Sequence, residues 1–297
     1  MTKYIASIII TCLALSSSLS PEKLTVLPEL INPTMMDISG SELYILDDVQ
    51  VLVYSLQDYR LLRKFGKKGE GPGELTNLPD APFTMVVDKK KMLLNSVYKM
   101  IVYEKSGELK KEKKFPLFLI EAEPIGKNYV LTKFSRKKDG SSTTSTWICN
   151  PEFEEVRKIY ERNPPNDYGK GKIAIPPLGT FARCADDRIF LFDRQKDFVI
   201  KVFDLKGNPL PDIKVPYGEI KTSDSYKKKI EDVLKLHPSF KSARPMFKKM
   251  IYIPEVMPVF QDCRVKDGRL YVQTYREKGD LSEFYILDFS GKVLKKI

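Results

Sequence analysis

Short apolar runs, closed off by turn residues, set the rhythm of this chain. The clearest are Leu43-Tyr44-Ile45-Leu46, Met92-Leu93-Leu94, Tyr129-Val130-Leu131, Ile189-Phe190-Leu191-Phe192 and Leu270-Tyr271-Val272. Each follows a turn signal: Ser39-Gly40-Ser41, Asp88-Lys89-Lys90, Gly126-Lys127-Asn128, Asp186-Asp187 and Asp267-Gly268. Unbroken apolar runs this short predict strands rather than helices. A further strand follows each one: Val51–Tyr54, Met100–Tyr103, Thr146–Cys149, Ile200–Phe203 and Phe284–Leu287. Next comes a turn, marked by Ser106-Gly107, Lys206-Gly207 and Ser290-Gly291, and then a more polar strand: Leu61–Phe65, Leu109–Glu112, Val156–Tyr160, Ile213–Val215 and Val293–Ile297. The recurring order is strand, turn, strand, polar loop, strand, turn, strand. It predicts an all-β chain with five visible four-stranded units, the pattern of a β-propeller. A four-stranded unit buries its faces only against its neighbours, so the units must form a ring.

The connections carry the rest of the architecture. From Gly66 to Glu74 four glycines and one proline are packed between two strands. Glycine reaches backbone angles closed to other residues and proline fixes φ, so this is a shaped joint. A phosphate cradle would need a helix after it, but Pro79, Pro82 and a β-like run follow. A Pro/Gly-rich loop, Asn163–Gly171, separates the third and fourth units. A helical insert is expected near 222–250, with Asp224 as N-cap, Pro238 as stop, and Tyr226, Ile230, Val233, Leu234 and His237 on one face. Lys23–Leu27 reads as a spare strand available to the last blade.

The N-terminus changes the picture of where the chain works. Lys3, the apolar run Tyr4–Leu15 and the small residues Ser16–Ser20 predict an export signal over residues 1–20, cleaved after Ser18. Residues 21–297 are then a single β-propeller domain. The run is too short to span a bilayer comfortably, and no transmembrane segment is expected after signal removal. Ile9-Ile10-Thr11-Cys12 matches a lipoprotein box poorly, so the expected product is soluble, secreted or periplasmic in the cell envelope. The remaining cysteines, Cys149, Cys184 and Cys263, are odd in number and lack C-x-x-C spacing. This excludes a disulfide framework and a zinc site by spacing.

Phe65-Gly66, Gly69, Gly71-Pro72-Gly73, Leu75, Pro79 and Met85-Val86-Val87-Asp88 together resemble an NHL-type propeller repeat. The wider pattern is similar to exported bacterial six-bladed β-propeller proteins, mostly of unknown function. The resemblance implies six blades where five are visible, and it carries almost no functional information. Enzymatic propellers of the lyase and lactonase types resemble the fold broadly and hold metal near the axis. His237 is the only histidine of the chain. It falls on an apolar helical face, where packing is the expected role, and no Ser-His-Asp or Cys-His pairing is available. The metal reading open to the chain is an all-oxygen Ca²⁺ site drawing on Asp47, Asp48, Asn95 or Asp193. Turn formation is the commoner use of such residues. No cofactor and no catalytic residue is predicted.

Charge supplies the sharper expectation. Lys and Arg number 50 against 39 Asp and Glu, a net of +11. In a four-stranded blade, the loop between strands two and three shares a ring face with the connection to the next blade. That face is assigned the predicted ligand-binding residues Lys67, Lys68, Lys99, Arg136, Lys137, Arg194, Lys196, Arg276 and Lys278, with Lys138 beside them. Tyr98, Phe134, Phe198 and Tyr275 lie nearby. Such a face suits an anionic glycan or an acidic protein partner; nucleic acid is not expected for an exported chain. The expected function is therefore a binding or scaffold module, and the alternative is a metal-dependent lyase or hydrolase at the central channel mouth.

Overall fold

The structure is a computed structural model that describes residues 26–76, 83–96, 98–115, 118–136, 142–163, 173–177, 179–195, 197–236, 251–278 and 281–297. Among the described residues five four-stranded antiparallel sheets follow one another in chain order. Blade I comprises Pro33–Ser39, Glu42–Asp47, Gln50–Ser55 and Leu61–Phe65. Blade II comprises Thr84–Val87, Lys91–Asn95, Lys99–Glu104 and Leu109–Lys114. Blade III comprises Phe118–Ile125, Asn128–Arg136, Ser142–Cys149 and Glu155–Arg162. Blade IV comprises Thr180–Ala185, Arg188–Asp193, Val199–Asp204 and Pro209–Lys214. Blade V comprises Asp262–Lys266, Arg269–Lys278, Leu281–Asp288 and Val293–Lys296. The five units expected from the sequence are these blades, and the fold is an all-β propeller.

The ring follows from burial. A sheet covered on both faces needs apolar residues at every position of its middle strands. Tyr44, Leu46, Met92 and Leu94 lie in one cluster between blades I and II. Leu93, Val102, Tyr129 and Leu131 fill the II–III interface. Val130, Ile148, Ile189 and Leu191 fill III–IV, and Phe190, Phe192, Leu270 and Val272 fill IV–V. Each side chain taken fully from water contributes about 1.5–3 kcal/mol before entropy is counted. The first strands neighbour one another in the same order, from blade I to blade V, and so line the inner side of the arc.

The glycine-rich segment is a joint, as expected. Gly66 has φ +88°, and a Cβ there would meet Val49 O at 2.6 Å. Lys67-Lys68 pairs in parallel with Glu74-Leu75. Gly73 N donates to Glu112 Oε2 at 2.7 Å and Tyr103 Oη donates to Gly73 O at 2.7 Å, which staples the joint to blade II. Pro79 and Pro82 lie outside the described residues.

Three details differ from expectation. The helix α1 spans Asp224–Leu236, but Ser223 caps it: its Oγ accepts from Tyr226 N at 3.1 Å, which leaves Asp224 in the first turn. Val233 is 54% exposed, because the half-buried stripe is Tyr226, Ile230 and Leu234. His237 and Pro238 lie outside the described residues, as does the predicted signal over residues 1–20. Val26 and Leu27 belong to no strand. Leu27 and Leu30 instead pack on Leu43, Ile45, Leu52 and Tyr54 of blade I, and blade V supplies its own fourth strand.

Candidate functional site

The five first strands enclose a cavity of about 770 Å³ along the axis. Its wall carries Asp37, Glu121, Glu123, Arg183, Cys184 and Arg264. Glu121 and Glu123 are two apart in one strand, so both point to the same side. Arg183, from blade IV, pairs with Glu121, lies 3.3 Å from Glu123 and 3.8 Å from Asp262. Burial works against the guanidinium charge, but the field of Glu121 and then Glu123 outweighs it and holds the Arg183 pKa above its ordinary value. Burial pushes the Glu123 carboxyl up to about 8 against the pull of Arg183. Burial also pushes the Cys184 thiol well up, which leaves it a poor nucleophile. This cluster was missed in the sequence. Its signal was a pair of carboxylates at strand period inside the apolar run Phe118–Ile125.

The predicted basic face is distributed unevenly. Lys67 is exposed and sits 2.9 Å from Glu74 Oε1, and Lys68 is exposed beside it. Lys99 is buried: its Nζ donates to Gly71 O at 2.7 Å and Glu74 O at 3.0 Å and lies 3.0 Å from Glu112. It fastens the glycine joint. Arg194 donates to Phe260 O at 3.3 Å and Gln261 O at 3.2 Å, with its guanidinium 4.5 Å from the centre of the Phe181 ring. Arg276 is partly exposed, 3.5 Å from Glu283. Arg136 and Lys278 end strands of blades III and V. Lys137, Lys138 and Lys196 lie outside the described residues. Beside the glycine joint a groove of about 310 Å³ is lined by Gly69, Leu75, Tyr98, Lys99, Lys114 and Phe115.

The residues considered for Ca²⁺ have structural work instead. Asp47 accepts from Ile31 N at 2.9 Å and from Asn32 N. Asn95 bonds Thr84 of the adjacent strand. Asp193 accepts from Tyr160 Oη at 2.5 Å, from Gln195 N at 3.0 Å and from Arg162. Asp48 takes φ 53° in a turn. Among the described residues no group of three or more His, Cys, Asp or Glu is placed to hold a metal ion. The cysteines Cys149, Cys184 and Cys263 are free thiols. No described helix is long and apolar enough to cross a membrane.

Comparison with curated proteins finds no match. Among solved structures, the chain is similar to the Neurospora crassa Pan2 WD40 domain, at 7% identity and TM-score 0.49, over 90% of this chain and 65% of that one. The chain thus spans about two thirds of the length of that structure. It is similar to the Myceliophteria thermophila Cps50 (Swd1) beta-propeller domain, at 12% identity and TM-score 0.45, over 93% of this chain and 89% of that one. A protein of unknown function from Bacteroides caccae aligns at 9% identity and TM-score 0.41, over 88% of this chain and 71% of that one. Residues 29–174 match a family described as 6-bladed beta-propeller. With five blades in ring order and this match across its first half, the chain is a β-propeller similar to the 6-bladed beta-propeller family.

Proposed function

We propose that this propeller is a binding module that takes an anionic partner, an acidic glycan in the first instance, on the loop face beside the glycine joint. The observation that supports this reading is the placement of Lys67 and Lys68. A two-residue parallel ladder holds both side chains in solvent next to the groove that contains Tyr98, Lys114 and Phe115. Aromatic rings offer apolar faces for sugar rings, and cations on the rim offer partners for carboxylate or sulfate groups. Arg276 is the further exposed member of the same face. The reading includes export of the chain: N-terminal sequencing of the protein from the cell envelope is expected to begin at Leu19, and retention of Lys3 overturns that part.

The test is calorimetric titration with heparin and with polygalacturonate. The triple variant Lys67→Glu, Lys68→Glu, Arg276→Glu is expected to weaken binding by at least about tenfold per lost cation pair, and salt is expected to weaken the native interaction. Unchanged affinity in the variant removes this face as the site.

A further inference from the structure

Each blade presents the next with one cross-sheet row of four residues. The rows are Asp37–Tyr44–Val53–Arg63 in blade I and Val86–Leu93–Val102–Lys111 in blade II. Blade III has Glu123–Val130–Ile148–Arg157 and blade IV has Arg183–Phe190–Val202–Leu210. The two middle residues of all four rows are at most 3% exposed and sit in the clusters that join one blade to the next. The outer cation reaches across. Arg63 donates to Lys105 O at 2.8 Å, Lys111 to Pro151 O at 2.7 Å and Arg157 to Lys206 O at 2.7 Å, in each case a carbonyl in the last turn of the following blade. A peg occurs in three of the four interfaces, and in two of them it sits beside the cation. A Cβ on Gly107 would meet Phe65 at 2.6 Å, one on Gly207 would meet Ile159 at 2.6 Å, and one on Gly291 would meet Ile213 at 3.0 Å. The turn glycine of one blade therefore seats an apolar side chain of the blade before it.

Blade V carries the same equipment, and among the described residues no hairpin fills it. Its row is Arg264–Tyr271–Ile286–Lys295. Tyr271 and Ile286 are only half-buried and belong to none of the clusters. Along its second strand burial alternates, Leu270, Val272 and Thr274 inside and the residues between them half-open, where blades I and IV are buried continuously. Ile297, two residues beyond Lys295 as Phe65 is beyond Arg63, is 62% exposed. Blade I does not serve as the missing neighbour. Its last turn, Leu56–Arg60, has no glycine, and its inner strand leaves Met36 69% and Ile38 43% exposed. Lys266 Nζ donating to Ile38 O at 2.9 Å, with Asp37 at 4.0 Å, is the hydrogen-bonded and ionic contact between blades V and I among the described residues.

We propose that this face of blade V is a docking socket for a β-hairpin of a partner protein, one whose turn contains a glycine and which occupies the blade position between V and I. The sockets already filled specify the occupant: a flat apolar face for Tyr271 and Ile286, a turn carbonyl for Lys295 and a glycine seat for Ile297. A second copy of this chain does not fit, because Gly107, Gly207 and Gly291 already seat their own pegs. Docking of this kind completes a core with another chain's sheet.

The probe is a head-to-tail cyclised peptide copying residues 199–214, the hairpin that receives Arg157 and Ile159 through Gly207. It is titrated into the whole protein by fluorescence anisotropy. Binding is expected, with a loss of at least about tenfold for the Ile297→Asp and Lys295→Glu variants and for a peptide carrying Gly207→Val. The Lys67→Glu, Lys68→Glu variant is expected to bind the peptide normally, which separates this socket from the loop face. Absent binding, equal binding of the glycine and valine peptides, or indifference to Ile297 and Lys295 overturns the proposal. So does a dimer in sedimentation analysis that Ile297→Asp dissociates, because the occupant is then a second copy.

Discussion

Blade I has two flanks that differ sharply. Toward blade II, Tyr44, Leu46, Val51 and Val53 are 0% exposed and the glycine joint is fastened by Lys99, Tyr103 and Glu112. Toward blade V, a short leading segment covers Leu43, Ile45, Leu52 and Tyr54, while Met36 and Ile38 face outward. The same sheet is thus a core on one side and a partly dressed surface on the other. A blade has no intrinsic inside. Its faces become core only when a neighbour of matching shape closes on them, which is how repeat architectures divide stability between units and interfaces.

The largest effect should come from trimming equivalent residues in a filled and an open interface. Phe190→Ala, in the filled IV–V interface, is expected to cost about 3–5 kcal/mol in urea unfolding. Tyr271→Ala, at the same row position of blade V, is expected to cost about 1 kcal/mol. Equal losses would break the comparison by showing that Tyr271 is covered in solution. Next comes the joint. Gly66→Ala places a side chain against Val49 O at positive φ and is expected to cost about 1–3 kcal/mol. Gly268→Ala, in a turn with nothing within 4 Å, is expected to cost less, about 1 kcal/mol.

The third effect is pH dependent. Hydrogen bonds from Arg63, with smaller help from Tyr44, hold the Glu42 carboxyl at about 2, although burial opposes them. The folded pKa lies below the ordinary glutamate value of 4.5, so this stabilisation is present above about 4.5 and lost as pH falls toward 2. Glu42→Gln is expected to flatten the stability profile across that window, whereas Lys295→Met at the open flank leaves it unchanged. An unaltered profile in Glu42→Gln would show that this clasp does not form. The smallest effect is on the loop face. Lys67→Glu with Lys68→Glu is expected to shift stability by no more than about 0.5 kcal/mol; a larger loss would mean that the pair holds the joint.

Much of this was legible along the chain. The second strands of blades I and IV are unbroken apolar runs because both their faces are buried. Leu270-Tyr271-Val272 reads as just as unbroken, and only the fold shows burial alternating along it, with Tyr271 half-open between Leu270 and Val272. The joint was legible in its glycines, because the required backbone angles belong to few residue types. Lys99 was not. A lysine in a loop looks the same whether its ammonium meets solvent or three oxygens of a neighbouring segment, and only the fold brings Gly71, Glu74 and Glu112 around it. The Arg183 cluster was hidden for the same reason, since its carboxylates arrive from a strand about sixty residues away.

Local pattern therefore determined the strands, their grouping into four-stranded units and the joint from blade I to blade II, because these depend on side-chain alternation and backbone angles within a few residues. The tertiary structure alone decided which cations face solvent, which carboxylates meet at the axis and which blade face has no neighbouring blade among the described residues. Those properties belong to pairs of units brought together by ring geometry, and no single stretch of the chain contains both members of the pair.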